Sequence, residues 1–285
     1  MLYQGIFFAE SFRKNPGGIA LKKYTLRLLF PLAIFELFNC VVKLVEFTVT
    51  GKELDYSIYI IAKSIIGYPL GALWFMKACI IGAIILYPFM KKQKAFIGVL
   101  IGLLLYSFAL LCNNYYFIIQ NTCLDSIIHQ YISIFDTARN GLFVGFPLLG
   151  LGVLLHDVHK KDGGLFTLLS LCMLIAEILL TQGELFLDDG SLYVSQLVFI
   201  PCLVNLLLNL QCRIPEKTSM ICRNLSTGIY LLHRPMMSIT FIGFTVVFHT
   251  LPSSWMLFAM AITSSVLICL CAYHYKIPVL ERLLK

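Results

Sequence analysis

Residues 95–113, AFIGVLIGLLLYSFALLCN, contain no charged side chain and no proline. A helix that crosses the hydrocarbon of a bilayer needs about 20 mostly apolar residues, so this stretch predicts a transmembrane helix. Seven further stretches have the same character, at 27–48, 71–89, 141–156, 164–182, 192–211, 225–248 and 254–274. Residues 55–69 are shorter and more polar, and predict a helix at the membrane interface. Residues 1–12 look like the end of another span.

The composition of the whole chain agrees with that pattern. Of 285 residues, 59% are hydrophobic and only 13% are charged, whereas a soluble domain carries about 25% charged residues. The surplus apolar surface must face lipid. The predicted fold class is therefore all-α, a polytopic membrane helical bundle with about 8 complete spans and an N-terminal partial span. No linker or shift in composition divides the chain, so residues 1–285 are predicted to form a single domain.

The basic residues predict the orientation in the membrane. Most of the 22 lysines and arginines fall in the loops on one side of the predicted spans. The opposite loops carry acidic residues, namely Glu53, Asp55, Asp125, Asp136, Glu184, Asp188 and Asp189. The positive-inside rule then places both ends of the bundle in the cytoplasm, which predicts an integral protein of a bacterial-type cytoplasmic (inner) membrane. Scattered short clusters of this kind also argue against nucleic-acid binding.

Several kinds of site are excluded by missing motifs. No G-x-x-x-x-G-K-[ST], G-x-G-x-x-G, H-E-x-x-H or G-x-S-x-G occurs in the chain, which argues against nucleotide loops, zinc peptidases and α/β-hydrolases. Most of the 10 cysteines lie in apolar runs, and none forms a C-x-x-C with histidine at ligand spacing. No metal site is therefore predicted. Cys112 and Cys123 are candidates for one outer disulfide.

Residues 226–237, STGIYLLHRPMM, place polar side chains inside a predicted span. On a helix Ser226, Tyr230 and His233 fall within about 60° of one another, with Arg234 at the edge of that face. His233 lies about 14 Å from the inner surface. Ionisable groups at such depth are costly and usually functional, which favours a water-accessible face. The alternative is that His233 and Arg234 only tie helices together through hydrogen bonds.

A second buried charge supports the functional interpretation. Glu36 lies nine residues after Arg27 and therefore also about 14 Å from the inner surface. We expect it to pair with His233 or Arg234, and the alternative partner is Lys43. The hypothesis is that titratable side chains from separate spans converge halfway across the bilayer and line a wet passage.

The outer side offers fewer candidates. Arg139 and Asn140 stand where an outer loop re-enters the membrane. There an arginine either holds an anionic or glycan ligand or marks the interface, and both interpretations stay open. Glu177 and Lys77 lie near the outer ends of their spans, where either side chain is able to snorkel. Trp74 is interpreted first as an aromatic-belt residue.

Four stretches, in this order, resemble the acyltransferase-3 family of integral membrane acyltransferases. They are KKYTLRLLFP (22–31), YPLGALWFMKA (68–78), RNGLFVGFPLLGLG (139–152) and STGIYLLHRP (226–235). The resemblance implies a ten-span protein that uses cytoplasmic acyl-CoA to acylate hydroxyls of extracytoplasmic glycans or lipid-linked sugars.

The chain departs from the family pattern in two places. The family's first span carries a basic residue and, about ten residues later, a histidine regarded as essential, and this span is missing here. The expectation is an N-terminally truncated family domain. In the family's R-x-x-R, Tyr24 replaces the first arginine, with Lys23 as the candidate substitute.

The leading expectation is an enzyme of cell-envelope O-acetylation, with acyl-CoA (acetyl-CoA) as co-substrate and no bound cofactor. Its expected partners are the lipid bilayer, acyl-CoA and an extracytoplasmic carbohydrate acceptor. The candidate residues are His233, Tyr230, Ser226 and Glu36 for catalysis, and Arg27, Lys23, Arg139, Asn140, Arg234 and Trp74 for substrate binding.

Two alternatives remain. The first is a serine-type or proton-coupled amino-acid transporter, because the membrane portion of serine-racemase-type vancomycin-resistance proteins resembles this family and is associated with amino-acid uptake. The second is an inactive relative that acts as a partner subunit.

Overall fold

The computed structural model describes residues 1–15, 18–156, 163–184, 186–210 and 215–275. Every regular element among these residues is helical, which confirms the predicted all-α class. A π-helical turn, Gly141–Gly145, leads directly into α8. The helices are α1 Leu2–Lys14, α2 Gly18–Val49, α3 Leu54–Ile66, α4 Trp74–Lys91, α5 Ala95–Cys112, α6 Tyr116–Ile119, α7 Cys123–Phe135, α8 Phe146–Leu155, α9 Gly164–Thr181, α10 Gln196–Asn209, α11 Glu216–Phe248 and α12 Ser254–His274.

Six helices of the described chain are long and apolar enough to cross a membrane, namely α2, α4, α5, α9, α11 and α12. Two other predicted spans, 141–156 and 192–211, correspond to shorter apolar helices at Gly141–Leu155 and Gln196–Asn209. The structure thus supports a multi-span integral membrane protein. The count of eight spans and the cytoplasmic location of both ends stay predictions.

Some helices extend beyond the predicted spans. Both α2 and α11 begin before the apolar stretches at 27–48 and 225–248. Hydropathy detects only the part of a helix that enters hydrocarbon, whereas backbone hydrogen bonds continue a helix into polar sequence. Conversely, α4 starts at Trp74 rather than residue 71, because Gly71 has φ +73° and lies outside the helical region. The helix predicted at 55–69 is present as α3, which ends at Ile66, and its place at the membrane interface stays a prediction.

The chain folds as two compact units, each assembled from two segments. The first comprises Met1–Leu29 and Phe75–Gln211, and the second comprises Phe30–Trp74 and Cys212–Lys285. The prediction of one domain over 1–285 is not tested by this division and stays a prediction.

The first unit is built around a close contact between α1 and α8. A Cβ on Gly5 would overlap the carbonyl of Leu149, and one on Gly152 would overlap the carbonyl of Leu2. Glycine at both positions lets the two backbones approach, as small residues do between membrane helices. Beside this contact, Phe8 and Phe146 form part of a fully buried core.

In the second unit, α12 packs on α11 through a stripe of small side chains. The buried residues of α12 are Ala261, Ser265, Cys269 and Ala272, spaced three or four apart on one helical face.

In the first unit, Cys112 is buried and Cys123 is exposed, and both are free thiols. The suggested outer disulfide is therefore wrong.

Candidate functional site

The second unit holds a polar cluster around the segment that joins α3 to α4, which we call the 67–73 loop. The loop begins at Gly67, the residue after α3, and ends at the buried Leu73, before α4. Side chains from α2 and α11 reach its backbone, and Ser64 of α3 donates to the Glu36 carboxylate that does so. Sequence analysis had assigned part of this loop to a span and did not anticipate its role as the centre of the cluster.

Leu70 is bonded through both of its backbone groups to one face of α2. Its N–H donates to Glu36 Oε1 over 3.0 Å, and its carbonyl accepts from Asn39 Nδ2 over 3.5 Å. The Ser64 hydroxyl, on α3, also donates to Glu36 Oε1, over 3.2 Å. Since Glu36 and Asn39 are three residues apart, they lie on the same helical face. A single face of α2 thus supplies the hydrogen-bond partners for both backbone groups of Leu70.

The opposite side of the loop meets α11. The Tyr230 hydroxyl donates to the carbonyl of Ala72 over 2.5 Å. At Gly71 an added Cβ would lie 3.2 Å from Arg234 Cβ and 3.2 Å from Asn39 Nδ2. The loop therefore passes between α2 and α11, with glycine at its narrowest point.

His233 is oriented by its own helix. Its Nδ1 lies 3.0 Å from the carbonyl oxygen of Ile229 and 2.9 Å from that of Tyr230. Carbonyl oxygens only accept, so Nδ1 must carry a proton in these contacts. In the neutral ring Nε2 then holds the lone pair and is the nitrogen able to take up a proton. The imidazole is partly exposed.

The structure brings some of the predicted site residues together and gives others local contacts. Glu36, Tyr230 and the stem of Arg234 surround the 67–73 loop. The Ser226 hydroxyl instead donates to the carbonyl of Arg223 on its own helix, over 2.9 Å. Trp74 stacks on Tyr68, with 6.5 Å between ring centroids.

Among the three partners considered for Glu36, Lys43 forms an ion pair with Glu46 instead, over 2.5 Å. The alternative based on Lys43 is therefore wrong. The pairing of Glu36 with His233 or Arg234 stays a prediction.

In the first unit, Arg139 joins a network with the segment that precedes α10. Its Nη1 lies 2.5 Å from Asp189 Oδ2, and Asn113 Nδ2 donates to Asp189 Oδ1 over 3.0 Å. The neighbouring Asp188 accepts from the hydroxyl of Thr137 and from the N–H of Ala138. Arg139, which the sequence predicts to bind the substrate, thus also holds the segment that carries Asp188 and Asp189.

Asn140 caps the π-helical turn. Its Oδ1 accepts from the N–H groups of Leu142 and Phe143 over 3.0 and 3.1 Å, and its Nδ2 donates to the Tyr131 hydroxyl over 2.7 Å. Asparagine is well suited to this task because its side chain supplies an acceptor and two donors. Asn140 therefore has a clear structural function in addition to its predicted role in substrate binding.

Glu177 is the polar centre that sequence reasoning did not recognise. Its carboxylate accepts from the hydroxyls of Tyr115 and Ser195 and from the N–H groups of Val194 and Ser195. It joins α9 to the start of α10. The only sequence signal was an acidic residue in an apolar helix, and its partners are far away along the chain.

At the start of α2, Lys23 and Arg27 are exposed. Tyr24, between them, is buried and packs against Phe8, with 5.0 Å between ring centroids. Tyr24 thus supplies a core residue rather than a surface charge.

Comparison with known proteins agrees with this architecture. A family model described as an acyltransferase domain, acyltransferase-3, matches residues 2–274. A curated protein named amino-acid racemase, from Enterococcus faecalis, is 31% identical over 144 residues, which is 48% of this chain and 20% of that protein. The chain thus spans about a fifth of the length of that relative. No solved structure matches the chain.

Proposed function

This chain belongs to the acyltransferase-3 family, and on that premise we propose that it is a membrane-embedded O-acyltransferase. It transfers an acyl group, which we take to be acetyl, from cytoplasmic acetyl-CoA to a hydroxyl of an extracytoplasmic glycan or lipid-linked sugar. The family match and the six apolar helices support this proposal. The donor is a co-substrate, and the reaction of these residues needs no bound cofactor.

The observation that carries the proposal is the orientation of His233. Its Nδ1 donates to carbonyls of α11, which leaves Nε2 as the base. In the proposed reaction Nε2 removes the proton of the acceptor hydroxyl, and the oxygen attacks the thioester carbon. The carbon–sulfur bond then breaks, and the CoA thiolate leaves and takes the proton back from the imidazolium. The products are the ester and free CoA.

In this proposal, cationic side chains bind the phosphates of the acyl donor. Lys23 and Arg27 are exposed at the start of α2 and provide charge for the phosphates of CoA. We assign Arg139 and Asn140 to binding of the carbohydrate acceptor. Both ends of the bundle lie in the cytoplasm of a bacterial-type cell in this proposal, so that acetyl-CoA arrives at the inner surface.

A second candidate function is amino-acid transport without acyl chemistry. The similarity to a curated protein named amino-acid racemase suggests an amino acid as the ligand. Ionisable side chains on candidate membrane helices, such as Glu36 and His233, also suit proton-coupled transport.

One preparation tests both functions. Purified protein in liposomes is given radiolabelled acetyl-CoA with bacterial glycolipid, and separately radiolabelled serine, while release of CoA and uptake of serine are measured. We expect CoA release with transfer of label to glycolipid, and its loss in His233→Gln but not in His274→Gln, an exposed control on α12. Serine uptake without CoA release would replace the proposal by transport. Equal CoA release from His233→Gln would remove this imidazole from the mechanism.

A further inference from the structure

We propose that Glu36, Asn39 and Tyr230 are positioning residues, which fix the 67–73 loop against α11 and thereby hold the turn that carries His233. The inference rests on the proposed function insofar as His233 is the base. The hydrogen bonds that hold the loop are independent of that function.

The first step is the attachment of Leu70 to α2. Both its N–H and its carbonyl are engaged, by Glu36 and Asn39. Asn39 is only 6% exposed, and Ser64, which donates to the same Glu36 oxygen, is 4% exposed. The backbone of Leu70, bonded in both directions by Glu36 and the buried Asn39, cannot shift along α2 without leaving polar groups unsatisfied.

The second step links the loop to the imidazole through one residue. The Tyr230 hydroxyl donates to Ala72, and the carbonyl of the same Tyr230 accepts from His233 Nδ1. Movement of the loop therefore displaces Tyr230, and with it one of the two acceptors that set the ring orientation. Gly71 also lies close to this turn, since a Cβ added to it would be 3.2 Å from Arg234 Cβ.

The third step concerns the role of the Glu36 carboxylate. Its Oε1 accepts from a backbone N–H and a hydroxyl, and the amide oxygen of glutamine is able to do the same. The holding function requires an acceptor rather than a negative charge. Glu36→Gln should therefore preserve the loop, whereas Glu36→Ala should release it.

Hydrogen exchange tests the loop directly and needs no enzyme activity. In nanodiscs, amide exchange of the peptide that covers residues 67–74 is followed by mass spectrometry. We expect exchange about tenfold faster in Glu36→Ala and in Asn39→Ala, and nearly unchanged in Glu36→Gln. The matched control is Glu46→Ala, a carboxylate of the same helix that pairs with Lys43. Equal acceleration in Glu36→Gln and Glu36→Ala would overturn the role of the acceptor.

Kinetics then separate positioning from proton transfer. We expect kcat to fall about tenfold in Glu36→Ala, with KM for acetyl-CoA and the pH dependence of kcat unchanged, and to be restored in Glu36→Gln. A shifted pH profile in Glu36→Gln would instead make the carboxylate a titrating partner of the base and overturn the inference. A further outcome is that neither the native protein nor any variant transfers acetyl groups, while the exchange pattern is the expected one. In that case the proposed function fails and the positioning of the loop stands.

Discussion

The hydroxyl of Tyr230 donates to the carbonyl of Ala72, a residue 158 positions earlier in the chain, over 2.5 Å. This bond ties the middle of α11 to the loop between α3 and α4. Tyr230 lies in the stretch that sequence analysis selected for catalysis, yet the contact of its hydroxyl is with backbone.

Replacement of Tyr230 by phenylalanine removes this oxygen and little else. The Ala72 carbonyl loses a donor, so we expect the free energy of unfolding to fall by about 1–2 kcal/mol. Thermal or denaturant unfolding of the purified protein in detergent measures the change. Tyr273→Phe, on the exposed side of α12, is the control. A Tyr230→Phe protein as stable as the control would show that the bond contributes nothing.

Gly71 is expected to tolerate no side chain. It has φ +73°, and a Cβ there would crowd Arg234 and Asn39. Gly51 has φ +70° with nothing within 4 Å of an added Cβ, so it isolates the backbone cost alone. We expect Gly51→Ala to destabilise by about 1 kcal/mol and Gly71→Ala by clearly more, because the crowding adds to the cost of the backbone conformation. Equal unfolding midpoints for the two variants would contradict the close contact.

Glu177 should be a strong determinant of stability. Alanine there leaves the hydroxyls of Tyr115 and Ser195 and two N–H groups without their acceptor. We expect a loss of about 2–4 kcal/mol, and about half of that for Glu177→Gln, which keeps one acceptor oxygen. The exposed Glu184 provides the control substitution, Glu184→Gln. A neutral effect of Glu177→Ala on the unfolding midpoint would refute the proposed anchor.

Asp188 should make stability depend on pH. Burial raises the pKa of its carboxyl above the ordinary value, and the opposing hydrogen bond from Thr137 does not cancel this effect. Because the pKa is higher in the folded than in the unfolded protein, the contribution to stability is fully present below the unfolded pKa of about 4. It is lost as the pH rises through the folded pKa.

Asp188→Asn removes that titration while keeping an acceptor for Thr137. We therefore expect the stability of the native protein, relative to this variant, to decline as the pH rises above about 4, the ordinary pKa of an aspartate. Unfolding midpoints at a series of pH values measure the difference, with Asp55→Asn on α3 as the control. A relative stability that increases over the same range would show that the pKa is lowered instead.

The sequence predicted the membrane helices well because each depends on local composition. An uninterrupted apolar run such as 95–113 must be helical in lipid, whatever its neighbours are, since its backbone groups have no other partners there. The exceptions have local physical causes. Gly71 delays the start of α4 to Trp74 through its positive φ, and α11 begins at Glu216, before the apolar stretch, where hydropathy gives no signal.

Side-chain partners could not be predicted in the same way. The sequence identified Glu36, Tyr230 and His233 as unusual because a polar group inside an apolar run stands out by itself. The pairing that it suggested, of Glu36 with His233 or Arg234, stays a prediction. The structure shows that Glu36, Tyr230 and His233 also form hydrogen bonds to backbone groups. Glu177 and Asn140 likewise serve backbone N–H groups.

What the sequence by itself determined is the class of the protein: a helical membrane chain with the motifs of a membrane acyltransferase family. That information is local, because burial in lipid requires apolar residues and satisfied backbone groups within each helix. Only the tertiary structure decided that Leu70 and Ala72 are the partners of Glu36 and Tyr230. A loop carbonyl or N–H has the same chemistry at every position, so its partner is selected by helix packing and not by residue type.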